Sequence, residues 1–247
     1  MLPFLRLSSD VRDVVYLNWV VDLDKVKHLV PEGVTVMTFN GKTLLSVLTY
    51  RHGHFGPSLL GPLRRLFPSP LQSNWRLYVD AISGQEVQGT VLFLKNIMNS
   101  KLFVCGTRLA SDSMLTHYAD SFTHETNNGQ VYTAIAPAGG SSPDLVSLLH
   151  RAPEIAIPAS VLDHFGTRDQ ALAYLCLQHS AITDVPDAGC LCQAEIDLPI
   201  GLDTLVGLQV DELKSAWLGE VIEGAPVFAF SVPEVGFEVI SERLMAG

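Results

Sequence analysis

Lys95 stands in the apolar run VLFLKNIMNS, Val91 to Ser100. On a regular strand its amine shares a face with Val91, Phe93 and Ile97. If that face is the interior of a closed sheet, desolvation lowers the amine's pKa and makes it a Schiff-base nucleophile. If the strand ends near Leu94, the same side chain reaches the rim and is an ordinary charge. The local sequence is compatible with both.

A second group lies in NWRLYV, where Asn74, Arg76 and Tyr78 alternate with Trp75, Leu77 and Val79. A strand with that pattern has one polar face, turned to solvent or to a lumen. Arg64 and Arg65 in GPLRRLFP offer either a planar fork for a carboxylate or a solvated turn. His52 and His54 in HGH share one face of a continued strand and would suit a metal there. The intervening Gly53 and the Gly-Pro that follows favour a solvated loop mouth instead. Cys190 and Cys192 form a C-x-C pair without a second pair at zinc spacing, so no metal is expected. The four cysteines read as reduced core residues.

The recognised catalytic motifs are missing from the chain. No G-x-G-x-x-G follows a strand, and there is no G-x-x-x-x-G-K-[ST], G-x-S-x-G or H-E-x-x-H. No cofactor is therefore expected. A net charge of −10 argues against nucleic acid and against an anionic membrane surface. No window resembles a membrane span or a secretory signal, so the expected location is cytoplasmic.

The elements that must hold these groups read mainly as hairpins. DLDKVKHLVPEG predicts a short helix stopped by Pro31 and Gly33. VTVMTF and KTLLSVLTY flank Asn40-Gly41, a type I′ hairpin signal. Residues 51–73 read as a long loop with one helical turn near Leu63 to Phe67. NWRLYVDAI and EVQGTVLFLKNI pair across Ser83-Gly84. NSKLFVCGTRLA has helical spacing, with Leu102, Val104 or Cys105, and Leu109 inward. LTHYADSFTHET and QVYTAIAP make a third hairpin around residues 127–129. Further on, DLVSLLHRAPEIAIP and SVLDHFGTRDQALAYLCLQHSAI carry helical periodicity, while GCLCQAEIDLPI and APVFAFSV predict strands. The expected fold is α+β: one domain, residues 1–247, whose curved antiparallel sheet closes into a β-barrel with a few short helices.

The order of LVPEG at 29–33, Asn74, Arg76, Tyr78 and Val79, and Arg108 after the predicted helix resembles the acetoacetate decarboxylase-like superfamily, in its uncharacterised branch, over roughly residues 15–135. The resemblance implies a cone-like barrel with an internal ligand cavity and turns the polar face of the Arg76 strand inward. In the decarboxylase two adjacent lysines follow the arginine, and one forms an imine with the keto acid. Here the matching LASDSMLTHY has no lysine; the pair falls near Met114 to Thr116, with His117 and Tyr118 just beyond. Decarboxylation by that route does not carry over.

Two readings follow. One is a cavity for a small anionic or carbonyl compound, bound by Arg76, Tyr78, Arg108 and Tyr118, in a protein that is not a true acetoacetate decarboxylase. The other is an enzyme in which Lys95 or His117 performs imine or acid–base chemistry on a small keto acid, His117 being suited to proton transfer near neutral pH. Asp80 and Glu125 are candidate ion-pair partners for the arginines, and Glu86 and Asp120 candidate pocket acids. The apolar richness and exposed strand edges make a homo-oligomer reasonable.

Overall fold

The computed structural model describes residues 6–111, 115–137 and 139–245. Its strands are β1 (Leu7–Asp22), β2 (Val34–Val36), β3 (Lys42–Arg51), β4 (Gly56–Pro57), β5 (Leu71–Ile82), β6 (Gln85–Met98) and β7 (Thr116–Tyr118). They continue as β8 (Ser121–Asn127), β9 (Gln130–Ala136), β10 (Leu145–Arg151), β11 (Ser180–Val185), β12 (Cys190–Asp197), β13 (Val206–Lys214) and β14 (Val227–Met245). The helices are α1 (Leu23–Val26), α2 (Lys101–Ala110), α3 (Ala159–Phe165), α4 (Arg168–Cys176) and α5 (Ala216–Ile222). None is long and apolar enough to cross a membrane.

Seven strands close a ring in the order β1-β3-β5-β6-β11-β12-β14, with β14 returning to β1. The remaining strands β13-β10-β9-β8 continue from β14 and fold over the ring's outside. Pairing is antiparallel apart from β6–β11 and β6–β7.

This arrangement buries β1, β3 and β5 on both faces, which is why their sequences read as near-continuous apolar runs. Inside the ring lie Tyr16, Leu48, Tyr50, Tyr78, Val91 and Phe230. Outside it, Trp19, Leu45, Trp75 and Leu77 pack against Val131, Leu145, Leu149 and Leu218 of the covering sheet and α5. Trp75 meets Trp217 edge-on, with ring centroids 5.1 Å apart.

Tight turns lie where Asn-Gly and Ser-Gly pairs predict them. Asn40-Gly41, Ser83-Gly84 and Asn128-Gly129 all adopt positive φ. The first does not join a paired hairpin, however. Phe39 bridges Lys42, but β2 leaves to pair with β5, because β3 already has β1 and β5 as neighbours. Residues 145–151, expected to be helical, form β10 between β9 and β13. There the alternating burial of Leu145, Ser147 and Leu149 outweighs the helical spacing. On α2 the inward face is Val104 and Thr107, while Leu102 is exposed; the side chain of Leu109 lies outside the described set.

Gly89 shapes the wall at the β6–β11 junction. Its φ is +56°, and an added Cβ would sit 2.2 Å from the His179 ring. His179 donates its backbone N–H to the Gly89 carbonyl at 2.9 Å. Gly89→Ala is expected to cost about 1–3 kcal/mol through the left-handed conformation, read as a lower urea midpoint with an unchanged slope.

Candidate functional site

β5 supplies the central residues. Arg76 pairs across to Phe93 and Ser46, and Asn74 to Leu48, so their side chains turn into the ring. Arg76 is 2% exposed. Its Nη2 donates to the Leu175 carbonyl at 2.9 Å, in the last turn of α4. The negative end of that helix partly compensates the guanidinium. Tyr16 and Tyr78 flank it, each ring centroid 5.5 Å from the guanidinium carbon.

No carboxylate pairs with Arg76 among the described residues. Asp80 and Glu125 are both exposed, as are Glu86 and Asp120. Nε of Arg76 and the Tyr16 hydroxyl are buried without an aligned hydrogen bond. Burial works against the charge of Arg76, but the phenolic oxygens of Tyr78 and Tyr16 more than offset this and its pKa is raised. Burial also pushes the Tyr16, Tyr50 and Tyr78 phenols above their ordinary range, so they act as neutral donors.

A cavity of about 50 Å³ adjoins Arg76, Tyr16, Tyr50, Gln72 and Asn74. Apolar side chains including Phe93, Ile196, Val235 and Phe237 form its other walls. It holds about three to five waters' worth of volume. Its polar wall is ordered from behind. Gln72 donates to Asn74 at 2.9 Å and Asn96 at 2.6 Å, and Asn74 donates to the Tyr50 hydroxyl at 3.2 Å. Tyr78 donates to the Leu175 carbonyl at 3.3 Å and contacts Ser46 at 2.9 Å.

Lys95 is not in this cavity. A β-bulge makes Trp75 the partner of Lys95 and Arg76 the partner of Phe93, so strand parity breaks at Leu94. Lys95 and Ile97 therefore share the outer face with Trp75, opposite Val91 and Phe93. His117 pairs with Ile97 and lines the same outer cleft as Lys95. Its Nδ1 lies 3.0 Å from the Ser141 hydroxyl. Burial, then the charges of Lys95 and Arg108, lower the His117 pKa to about 4. Arg108 is exposed on α2 and donates Nε to the Thr116 carbonyl at 2.8 Å. Tyr118 donates to Asp120 at 3.2 Å and carries Lys101 over its ring. The expected single lining of Arg76, Tyr78, Lys95, Arg108 and His117 is thus divided between the lumen and the outer face. Met114 lies outside the described residues.

Two other expectations are corrected. His52 is fully buried rather than solvated, with Nδ1 2.8 Å from Ser9 Oγ and Nε2 2.5 Å from Gln72 Oε1. It stacks on Phe55 at 4.3 Å. Arg64 is committed to Ser8 and to Asp10, the latter at 3.4 Å, and Arg65 is exposed. Tyr16, Tyr50 and Gln72 were not singled out from sequence. Period-two alternation along β3 and β5 marks the face of Tyr50 and Gln72, but only ring closure brings Tyr16 opposite them.

The DUF2071 family, described as uncharacterized conserved proteins, matches residues 8–143. No curated protein matches the chain. Among solved structures, the acetoacetate decarboxylase from Legionella pneumophila subsp. pneumophila str. Philadelphia 1 is similar, with TM-score 0.65 and 9% identity over 99% of this chain and 88% of that one. The enduracididine biosynthesis enzyme MppR complexed with pyruvate gives TM-score 0.62 and 12% identity, over 100% and 92%. An acetoacetate decarboxylase-like enzyme from Sphingomonas wittichii RW1 gives TM-score 0.62 and 9% identity, over 98% and 93%. At these identities the likeness is one of fold.

His52 makes the lumen's support sensitive to acid. Burial lowers its pKa from 6.5 to about 4, only partly opposed by Gln72. The unfolded chain therefore binds the proton first. His52 contributes full stability above pH 6.5 and loses it as pH falls toward 4, by about 3 kcal/mol in all. Urea midpoints between pH 7.5 and 4.5 should fall accordingly, and His52→Asn should flatten part of that slope.

Proposed function

The chain belongs to the DUF2071 family of uncharacterized conserved proteins, and from that premise we propose that it binds a small carboxylate, such as a 2-keto acid, in the lumen against Arg76. The observation that carries this reading is a buried guanidinium with no carboxylate partner among the described residues, beside a cavity and two buried polar atoms without an aligned hydrogen bond. An uncompensated buried charge costs several kcal/mol, and an anionic ligand would remove that cost. A carboxylate would accept from Arg76 Nε and from the Tyr16 hydroxyl, with the Tyr50 hydroxyl and Asn74 beside it. The apolar remainder of the wall suits a short carbon chain. MppR, which shares the fold, is described in complex with pyruvate.

No lysine lies among the described residues lining this cavity. Bound keto acid therefore meets hydrogen-bond donors rather than an amine. The reading is of recognition without imine formation, distinct from acetoacetate decarboxylation. The neutral phenols can polarise a carbonyl by donation, and Arg76 holds the anion.

Titration with pyruvate, acetoacetate and acetate by calorimetry and thermal shift tests the proposal. At a hundred times Kd a ligand adds about 2.7 kcal/mol to stability. Arg76→Met is expected to abolish binding in the lumen and the thermal shift that comes with it, and Tyr16→Phe to weaken lumen binding about tenfold while leaving the fold intact. Borohydride added with pyruvate should leave the protein mass unchanged. A pyruvate thermal shift left undiminished by Arg76→Met would overturn the lumen assignment.

A further inference from the structure

The ring wall has a split beside β6. One edge of β6 is paired by β11 over Thr90–Leu92 and by β7 over Asn96–Met98. Between them no strand among the described residues pairs with 93–95, since β11 continues along β12 through Thr183 and Asp184. A cleft of about 310 Å³ opens at this split. Lys95, His117, Asp184 and Trp217 line it, and Phe93 lines both the cleft and the lumen cavity. That one residue is the partition between the two spaces.

The cleft's charge differs from that of the whole chain. Lys95 makes no hydrogen bond or ion pair among the described residues. Asp184 lines the cleft as well and forms no ion pair with Lys95 within 4 Å. One cation and one carboxylate thus share the cleft, on a protein of net charge −10. The half-buried indole of Trp217 gives an apolar wall.

We propose that this cleft is a second binding site for a small carboxylate, held near Lys95 against Trp217, from which the ligand passes Phe93 to Arg76. Its destination rests on the lumen reading above; its existence as an anion site does not. A cation at the mouth of a narrow, low-dielectric split raises the local concentration of an anion. The open edge at 93–95 is also where the wall can part without breaking hydrogen bonds to β11 or β7.

Trp217 is a built-in reporter. Of the three tryptophans, Trp19 and Trp75 are 1% and 0% exposed, so quenching by added ions reads Trp217. Iodide should quench it more strongly than caesium. Lys95→Glu should lower the iodide constant about threefold and leave quenching by neutral acrylamide unchanged. Pyruvate should protect Trp217 from iodide in the wild type and equally in Arg76→Met. Where that variant fails to fold, Val235→Phe, which fills the lumen, takes its place. An iodide constant unmoved by Lys95→Glu would overturn the cleft site. So would protection that vanishes with Arg76→Met, a result that leaves the lumen reading standing. Protection and thermal shift both retained in Arg76→Met would keep the cleft and overturn the lumen.

Discussion

Pairing of β14 with β1 closes the structure. Twelve residues of β1, from Leu7 to Trp19, find partners in β14 between Val227 and Val239. The same long strand pairs with β12 and β13. One element thereby completes the ring and hangs the outer sheet upon it. Without that closure β1 and β14 would present edges, and the inner face would be a solvated concave sheet. With it, the interior excludes water, and every polar group on the inner face must find a partner or await one.

That condition gives the polar lining its meaning. Most of it is satisfied internally: Gln72 serves Asn74 and Asn96, Asn74 serves Tyr50, and Tyr78 serves Ser46 and Leu175. Arg76 is the exception. The α4 terminus and two tyrosine faces hold its guanidinium, but no carboxylate among the described residues neutralises it. A charge kept in such surroundings is a cost in stability that a purely structural residue would avoid, since an apolar residue of like volume packs there as well or better. The small apolar cavity beside it locates where a counter-charge belongs.

The fold and its chemistry separate in this chain. The solved structures it resembles include an acetoacetate decarboxylase and an enzyme complexed with pyruvate, while in this chain Lys95 stands on the outer face of the ring. Lys95 is on β6, within two residues of a lumen-facing side chain, and still points outward. A single bulge moves it across the wall. Lumen and cleft are consequently two environments, one built from neutral donors and a buried cation, the other from solvated charges around an open strand edge. Phe93 is what they share.

Much of this was legible in the residues themselves. Asn-Gly and Ser-Gly turns, β-rich alternation and the polar stripe Asn74–Arg76–Tyr78 follow from local backbone and side-chain preferences, which act over a few residues and survive in any context. They sufficed for a closed, mainly antiparallel sheet and for one polar face on the Arg76 strand; that this face turns inward was implied by the family resemblance. Three features needed the tertiary structure. Residues 145–151 became a strand because β9 and β13 offered partners on both sides. Tyr16 met Arg76 because ring closure brought β1 opposite β5. Lys95 left the lumen because a bulge, set by how β5 and β6 share hydrogen bonds, reverses the faces beyond Leu94. Periodicity carries no count of an inserted residue, and so the side of the wall on which the lysine stands was decided by pairing alone.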